Sequence, residues 1–119
     1  METTTRERGA SAEDRATAAL EAAGYSIVAR NWTCVVGELD IIARDGDVLV
    51  FVEVRSRADA AHGHAAEMVT AGKRRKVARV AEMYLGLERP TFDECRFDVV
   101  ALTGDQLDVV KDAWRLGRG

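Results

Sequence analysis

The chain is poor in several things. It has one proline, two cysteines and few aromatics, 6% of its residues. Its longest uninterrupted apolar run is Val48 to Val52, far short of a membrane span. Cys34 and Cys95 stand far apart, with no CxxC and no Cys/His spacing. That excludes a zinc ribbon or a disulfide scaffold and leaves two free thiols in a reducing cytoplasm. The opening residues, METTTRERGASAED, have no apolar core of a secretory signal and read as a polar, flexible leader over residues 1–10. There is no excess of positive charge either, since the formal net charge is −3. Sequence-wide attraction to nucleic acid is therefore absent, and a basic surface would have to be local.

What is present suits one soluble domain over residues 11–119. The chain has 119 residues, 47% hydrophobic and 31% charged, enough to close a core without staples. Positive charge is concentrated in one place. Lys73, Arg74, Arg75, Lys76 and Arg79 fall within seven positions, and Arg55 and Arg57 lie just upstream.

The most informative stretch is Gly37 to Arg57, GELDIIARDGDVLVFVEVRSR. Two apolar strand patterns flank Asp45-Gly46, a strong two-residue turn signal. Carboxylates interrupt both strands: Glu38 and Asp40 in the first, Glu53 in the second. Burying such groups is costly unless they are paired or hold a cation. With Asp45-Gly46 as the loop, Glu38 faces Glu53 and Asp40 faces Phe51. Period-2 alternation then puts Glu38, Asp40, Glu53 and Arg55 on one face. A two-residue shift would set Asp40 opposite Glu53 and keep the acids together; a one-residue slip would split them.

Taken in order, the chain predicts a helix over Ala12 to Ala23, capped by Ser11 and stopped by Gly24. Ala16, Ala19, Leu20 and Ala23 form its inward stripe. Glu13 lies about 20° from Leu20 on the helical wheel. It is either a dipole-favoured acid at a helix start or a further acid of the site, and the dipole reading is preferred. A strand over Tyr25 to Asn31, a connection over Trp32 to Gly37 and the central strand pair follow. Ala58 to His64 reads as a loop near the site. Its His62-Gly63-His64 lacks a third ligand nearby, which argues against a metal centre there. A long helix is expected from Ala65 to Leu85, with an apolar stripe of Val69, Val77, Val80, Ala81, Tyr84 and Leu85. Lys73 lies on that stripe and needs a carboxylate or an exit for its ammonium. Strands over Arg96 to Leu102 and Leu107 to Val110, and a last helical turn over Asp112 to Leu116 with Trp114 packing down, complete the order α-β-β-β-α-β-β. The fold class is α/β, a mixed sheet flanked by helices.

These stretches resemble the YraN-like family of small bacterial proteins over Ala12 to Leu116. The likeness is carried by the AED…A..AL helix start, GYSIVARN, GELDIIARDG with VFVEVR, the VT..K helix and RFDVVAL. The resemblance implies a compact PD-(D/E)XK nuclease fold with a restriction-endonuclease-like core, closest to Holliday-junction resolvases. Asp40 then matches the motif aspartate and Glu53 the acid of the ExK element, with Val54 as the x. Glu38 matches the family's own glutamate and Glu13 the helix-one glutamate of resolvase-like members. Asp40, Glu53 and Glu13 would hold Mg²⁺ or Mn²⁺, with Glu38, Arg55 and Lys73 completing a catalytic set. Arg57, Lys73, Arg74, Arg75, Lys76 and Arg79 would contact nucleic acid, DNA rather than a membrane. Resolvase-like folds often act as symmetric dimers, so a homodimer is also implied.

The elementary chemistry agrees. Carboxylates on one face bind a hard divalent cation, which acidifies a water and neutralises charge developing on a phosphate. The departure is Arg55, which stands where the motif has lysine. A guanidinium stays protonated and cannot be a general base, though it can clamp a phosphate. Lys73 is the candidate replacement for the missing lysine. Three readings follow: a Mg²⁺-dependent endonuclease acting on DNA, with branched DNA the substrate the resemblance implies; a non-catalytic nucleic-acid-binding or repair accessory module; and a purely structural ion network among the acids and their basic neighbours.

Overall fold

The computed structural model describes residues 5–57 and 69–114, with side chains described from residue 12 onward. His62 and His64, the loop over 58–64, the expected helical turns at 65–68 and residues 115–119 lie outside them.

Helix α1 (Thr5–Ala22) is followed by strands β1 (Ser26–Thr33), β2 (Glu38–Asp45) and β3 (Val48–Arg57). Helix α2 (Ala71–Glu88) leads to β4 (Glu94–Thr103) and β5 (Gln106–Trp114). The five strands lie side by side in chain order. Pairing is antiparallel except between β3 and β4, which run parallel across the α2 crossover. The expected α/β class and element order are both present.

Two cores form because β3 is apolar on both faces. Leu49 and Phe51 pack with Leu39, Ile42 and the α2 stripe of Val77, Val80, Ala81 and Tyr84. Val50 and Val52 pack with Ile41, Ala43 and the α1 residues Ala12, Ala16 and Leu20. The α1 contacts recur every four residues, as a helix lying on a sheet requires.

Several boundaries differ from expectation, each for a local reason. Helix α1 begins at Thr5, so Ser11 lies inside it and is no cap; residues 5–10 of the expected leader are helical, and 1–4 lie outside the described residues. Its C-terminus is as expected. Gly24 has φ +97°, Tyr25 N–H reaches Leu20 O and Gly24 N–H reaches Glu21 O, the paired bonds of a Schellman cap. That cap uses Tyr25, so β1 starts one residue later. Helix α2 begins at Ala71, because extended Thr70 is its N-cap and accepts the Lys73 N–H at 3.2 Å. Val69 is buried but precedes the helix. The last helical turn is not formed: β5 runs on to Trp114, past a bulge at Asp112, whose φ is +55°. Trp114 does pack down, stacking on Phe97 at 5.0 Å.

The central turn also moves. Asp45 pairs with Val48, so the loop is Gly46-Asp47. Gly46 has φ +63° while Asp47 is not among the positive-φ residues, which fits a turn needing glycine only at its first central position. The one-residue displacement of the loop shifts the pairing by two. Ile41 faces Val52, the last backbone pair before Asp40 and Glu53.

Candidate functional site

The site lies at the carboxyl end of β3, where the chain leaves the sheet and α2 returns to it. Crevices at the carboxyl ends of parallel strands are where open α/β sheets place ligands. A cavity of about 250 Å³ opens there, lined by Ala12, Glu13, Asp40, Glu53, Val54, Arg55, Ser56 and Lys73.

Glu53 is its centre. It is 3% exposed, on the face of β3 that looks at α2. Arg55, two residues on and so on the same face, holds Glu53 Oε1 through Nη2 at 2.9 Å. Lys73, in the first turn of α2, places Nζ 3.3 Å from the same oxygen. Two cations on one carboxylate would ordinarily depress its pKa. Instead Glu53 is pushed up to about 7, first by burial and then by the nearby Asp40 charge, against the pull of Lys73 and Arg55.

Asp40 reaches the cavity through a break in alternation. Leu39 and Ile42 both pack toward α2, although they are three residues apart, so β2 is irregular between them. Asp40 Oδ2 accepts the Val54 N–H at 2.9 Å, a side chain standing in for part of the ladder. This ties the two acidic strands together where their backbone pairing stops.

Glu13 joins them from α1. With the helix starting at Thr5, Glu13 is well inside it, and the dipole explanation no longer applies. Its side chain is only 18% exposed, and buried Oε1 has no hydrogen-bond partner, with Arg30 Nε no nearer than 3.9 Å. Burial, then Asp40, raises its pKa. Glu38 is placed differently from expectation. Leu39 points to α2, so Glu38 falls on the α1 side, where its charge acts on Glu13; it does not line the cavity.

The donor set is therefore three carboxylates that repel one another, one with an orphaned buried oxygen. Hard oxygen donors of this kind suit Mg²⁺ or Mn²⁺. As the side chains stand, no three His, Cys, Asp or Glu groups among the described residues converge closely enough to hold a metal. Glu53 is instead occupied by its two cations. Arg55 Nε is buried without a partner, a second unsatisfied atom at the cavity.

The basic run of α2 divides, because successive helical residues point about 100° apart. Lys73 turns to Glu53. Arg74 is drawn the other way: its Nε donates to Val69 O at 3.1 Å and its guanidinium lies over Trp114. Arg75, Lys76 and Arg79 share a third direction, lining a groove of about 550 Å³ with Gly72, Val35 and Val36. Arg57 ends β3 beside Thr103 and takes the Gly104 N–H on its carbonyl.

Two features escaped the sequence reading. One is the groove wall formed by Val35 and Val36, signalled only by two valines where a turn residue is expected. The other is a buried network on the α1 face of the sheet. Fully buried Asp98 accepts bonds from Arg96, from Tyr25 Oη at 2.7 Å and from the Asp112 N–H at 2.9 Å. Arg96 also binds Asp45 at 2.8 Å. Its visible signal was a charged pair, Arg96 and Asp98, inside the apolar strand RFDVVAL.

Among the described residues, no helix is long and apolar enough to cross a membrane. The sequence profile of the uncharacterised protein family UPF0102 matches residues 12–102. A UPF0102 protein of Dechloromonas aromatica is 49% identical over 93% of this chain and 91% of its own length. One from Paracidovorax citrulli is 47% identical, covering 97% and 87%. The UPF0102 protein YraN of Escherichia fergusonii is 42% identical over 93% and 86%. Similarity of this extent, spanning both helices and the acidic strand pair, makes the chain a member of the UPF0102 family.

Proposed function

We propose that the protein is a metal-dependent nuclease of the PD-(D/E)XK type, hydrolysing phosphodiester bonds in DNA. One observation carries this: a buried glutamate, Glu53, shares a cavity with Asp40 and is held by both Arg55 and Lys73. A structural ion pair needs one cation. Two cations and a nearby aspartate around one buried carboxylate make a site with both signs of charge, as phosphoryl chemistry requires.

Asp40 and Glu53 would hold Mg²⁺ or Mn²⁺, with Glu13 as a third oxygen donor. The ion would supply charge neutralisation at the phosphate and acidify a water. Arg55, always charged, would clamp a phosphate oxygen through its fork of donors. Lys73 would hold the proton-bearing nitrogen that the motif normally takes from the strand, supplied here from the helix. Its setting would be the reducing cytoplasm, where Cys34 and Cys95 remain thiols.

A second reading is supported by the way Arg55 and Lys73 already satisfy Glu53 and by the carboxylates' failure to converge. It is a module that binds nucleic acid on the same fold without cutting it.

The two are separated by calorimetry with Mg²⁺ and Mn²⁺ on the wild type and on Asp40→Asn/Glu53→Gln, with cleavage of branched and single-stranded DNA assayed in parallel. Metal binding and cutting by the wild type, both lost in the variant, are expected. DNA binding retained without metal binding or cutting, in wild type and variant alike, overturns the nuclease in favour of the module.

A further inference from the structure

The groove beside the site has a composition that the acidic cavity does not explain. Its lining is Gly72, Arg75, Lys76 and Arg79 on one side and Val35 and Val36 on the other, with no carboxylate among the described residues. None of its three cations forms an ion pair with a described residue, and all three are exposed. They run from the second turn of α2 to its middle, and the first turn of that helix contains no acid. Like charges four residues apart on a helix, as Arg75 and Arg79 are, repel unless an anion meets them. Arg75 and Arg79 are one turn apart, about 6 Å along the helix axis, so they present a row rather than a single point.

The opposite wall breaks a different rule. Cys34 and Gly37 exchange backbone hydrogen bonds at 2.9 and 3.2 Å, which closes β1 and β2 around a two-residue loop of Val35 and Val36. Turns favour Gly, Asn, Asp and Ser, and two β-branched residues there gain nothing locally. Val36 packs against the α2 core. Val35 is 97% exposed and buries nothing. Its loop nevertheless lies against α2. Gly37 lies so close to α2 that an added Cβ would stand 3.2 Å from Val80 Cγ2 and 3.3 Å from Lys76 Cε. The hairpin tip is thus pressed onto the basic helix, and Val35 projects from it beside three cations.

A row of cations with an apolar projection at its edge suits a strand of nucleic acid that exposes base faces. We propose that this groove binds a single-stranded segment, with Arg75, Lys76 and Arg79 on its phosphates and Val35 against an unstacked base. Apolar side chains placed against opened base steps are a general device of nucleic-acid binding. A duplex offers the same phosphates but keeps its bases stacked, so Val35 discriminates between them. Gly72 lines the groove and Lys73, the next residue of α2, lines the acidic cavity, so the two openings adjoin on one helix. The inference deepens the proposed function by naming unpaired nucleic acid as the substrate class; it rests on nucleic-acid binding and not on cleavage.

The test is fluorescence anisotropy in EDTA, across a salt series, with a labelled single-stranded oligodeoxynucleotide and the corresponding duplex. Val35→Ser should melt with the wild type. It should bind the single strand about fivefold more weakly through lost apolar contact, with the duplex affinity and both salt slopes unchanged. Arg75→Ala/Arg79→Ala should lower the single-strand salt slope by about 1.4, the share of two phosphates. Unchanged single-strand affinity in Val35→Ser, an unchanged slope in the double variant, or equal competition by polyglutamate would each overturn the assignment. Because no metal is present, a protein that never cleaves DNA can still show the expected pattern, and one that cleaves can still fail it.

Discussion

Lys73 Nζ lies 3.3 Å from Glu53 Oε1, joining the first turn of α2 to the carboxyl end of β3. Arg55 holds the same oxygen at 2.9 Å from within the strand. An interior lysine on a helical stripe needs a carboxylate within reach, and the parallel crossover supplies it by returning α2 over the end of β3.

Lys73→Ala separates catalysis from stability. Lys73 is 37% exposed, so its pair with Glu53 is screened and its removal should cost only about 0–1 kcal/mol in urea denaturation. Metal-dependent cleavage should fall by about 100-fold, the usual worth of one positioned proton-transfer or electrostatic group. A variant that cuts as well as the wild type would remove Lys73 from the mechanism.

Glu53 makes stability depend on pH. Its folded pKa, about 7, is above the ordinary 4.5, so between those values the folded state keeps a proton that the unfolded state has released. Stability therefore falls as pH rises from about 4.5 to about 7 and levels off above, by at most on the order of 3 kcal/mol. Glu53→Gln cannot ionise and should lack that fall. Urea midpoints at pH 5, 6, 7 and 8 for both proteins check it; parallel curves would contradict the burial of Glu53 as a titrating acid.

Glu13→Gln should leave the fold as stable as the wild type or slightly more so. The wild-type carboxylate is buried, faces Asp40 and has an oxygen without a partner, so neutralising it relieves repulsion. The same change should weaken Mn²⁺ binding by about tenfold if Glu13 donates to the ion. Calorimetry and thermal melting on one preparation read both. A large stability loss would make Glu13 a structural residue.

Asp98→Ala should be the most damaging single change outside the apolar cores. It strips Arg96, the Tyr25 hydroxyl and the Asp112 N–H of a fully buried acceptor. Breaking a buried charge pair by removing one partner costs about 3–5 kcal/mol. Because Arg96 keeps Asp45 at 2.8 Å, the lower end of that range is expected from chemical denaturation. A loss under about 1 kcal/mol would mean the network relaxes onto solvent.

The acidic cluster was legible because a glutamate inside Val48-to-Val54 conflicts with the apolar pattern around it. Its partners were partly legible: period 2 put Arg55 beside Glu53, and period 3.6 put Lys73 on the inward stripe. The turn residue was misassigned. Asp-Gly signals a tight turn but not which side of glycine the loop takes, and the choice moves every cross-strand pair by two. Glu13 was underweighted because the helix start could not be read: Arg6 and Glu7 favour a helix as readily as a leader.

By itself, the sequence determined the class of the fold, the order of its elements, both apolar faces of β3 and the residue types of the site. These depend on local periodicity and on which groups resist burial. Only the tertiary structure decided that Asp40 and Glu53 line one cavity with Glu13, that Glu38 stands outside it, and that one basic run serves three directions. It also decided that a pair of valines would form the wall of a charged groove. Those outcomes depend on register and on the approach of α2 to the β1–β2 hairpin, contacts between segments distant in the chain, which periodicity does not encode.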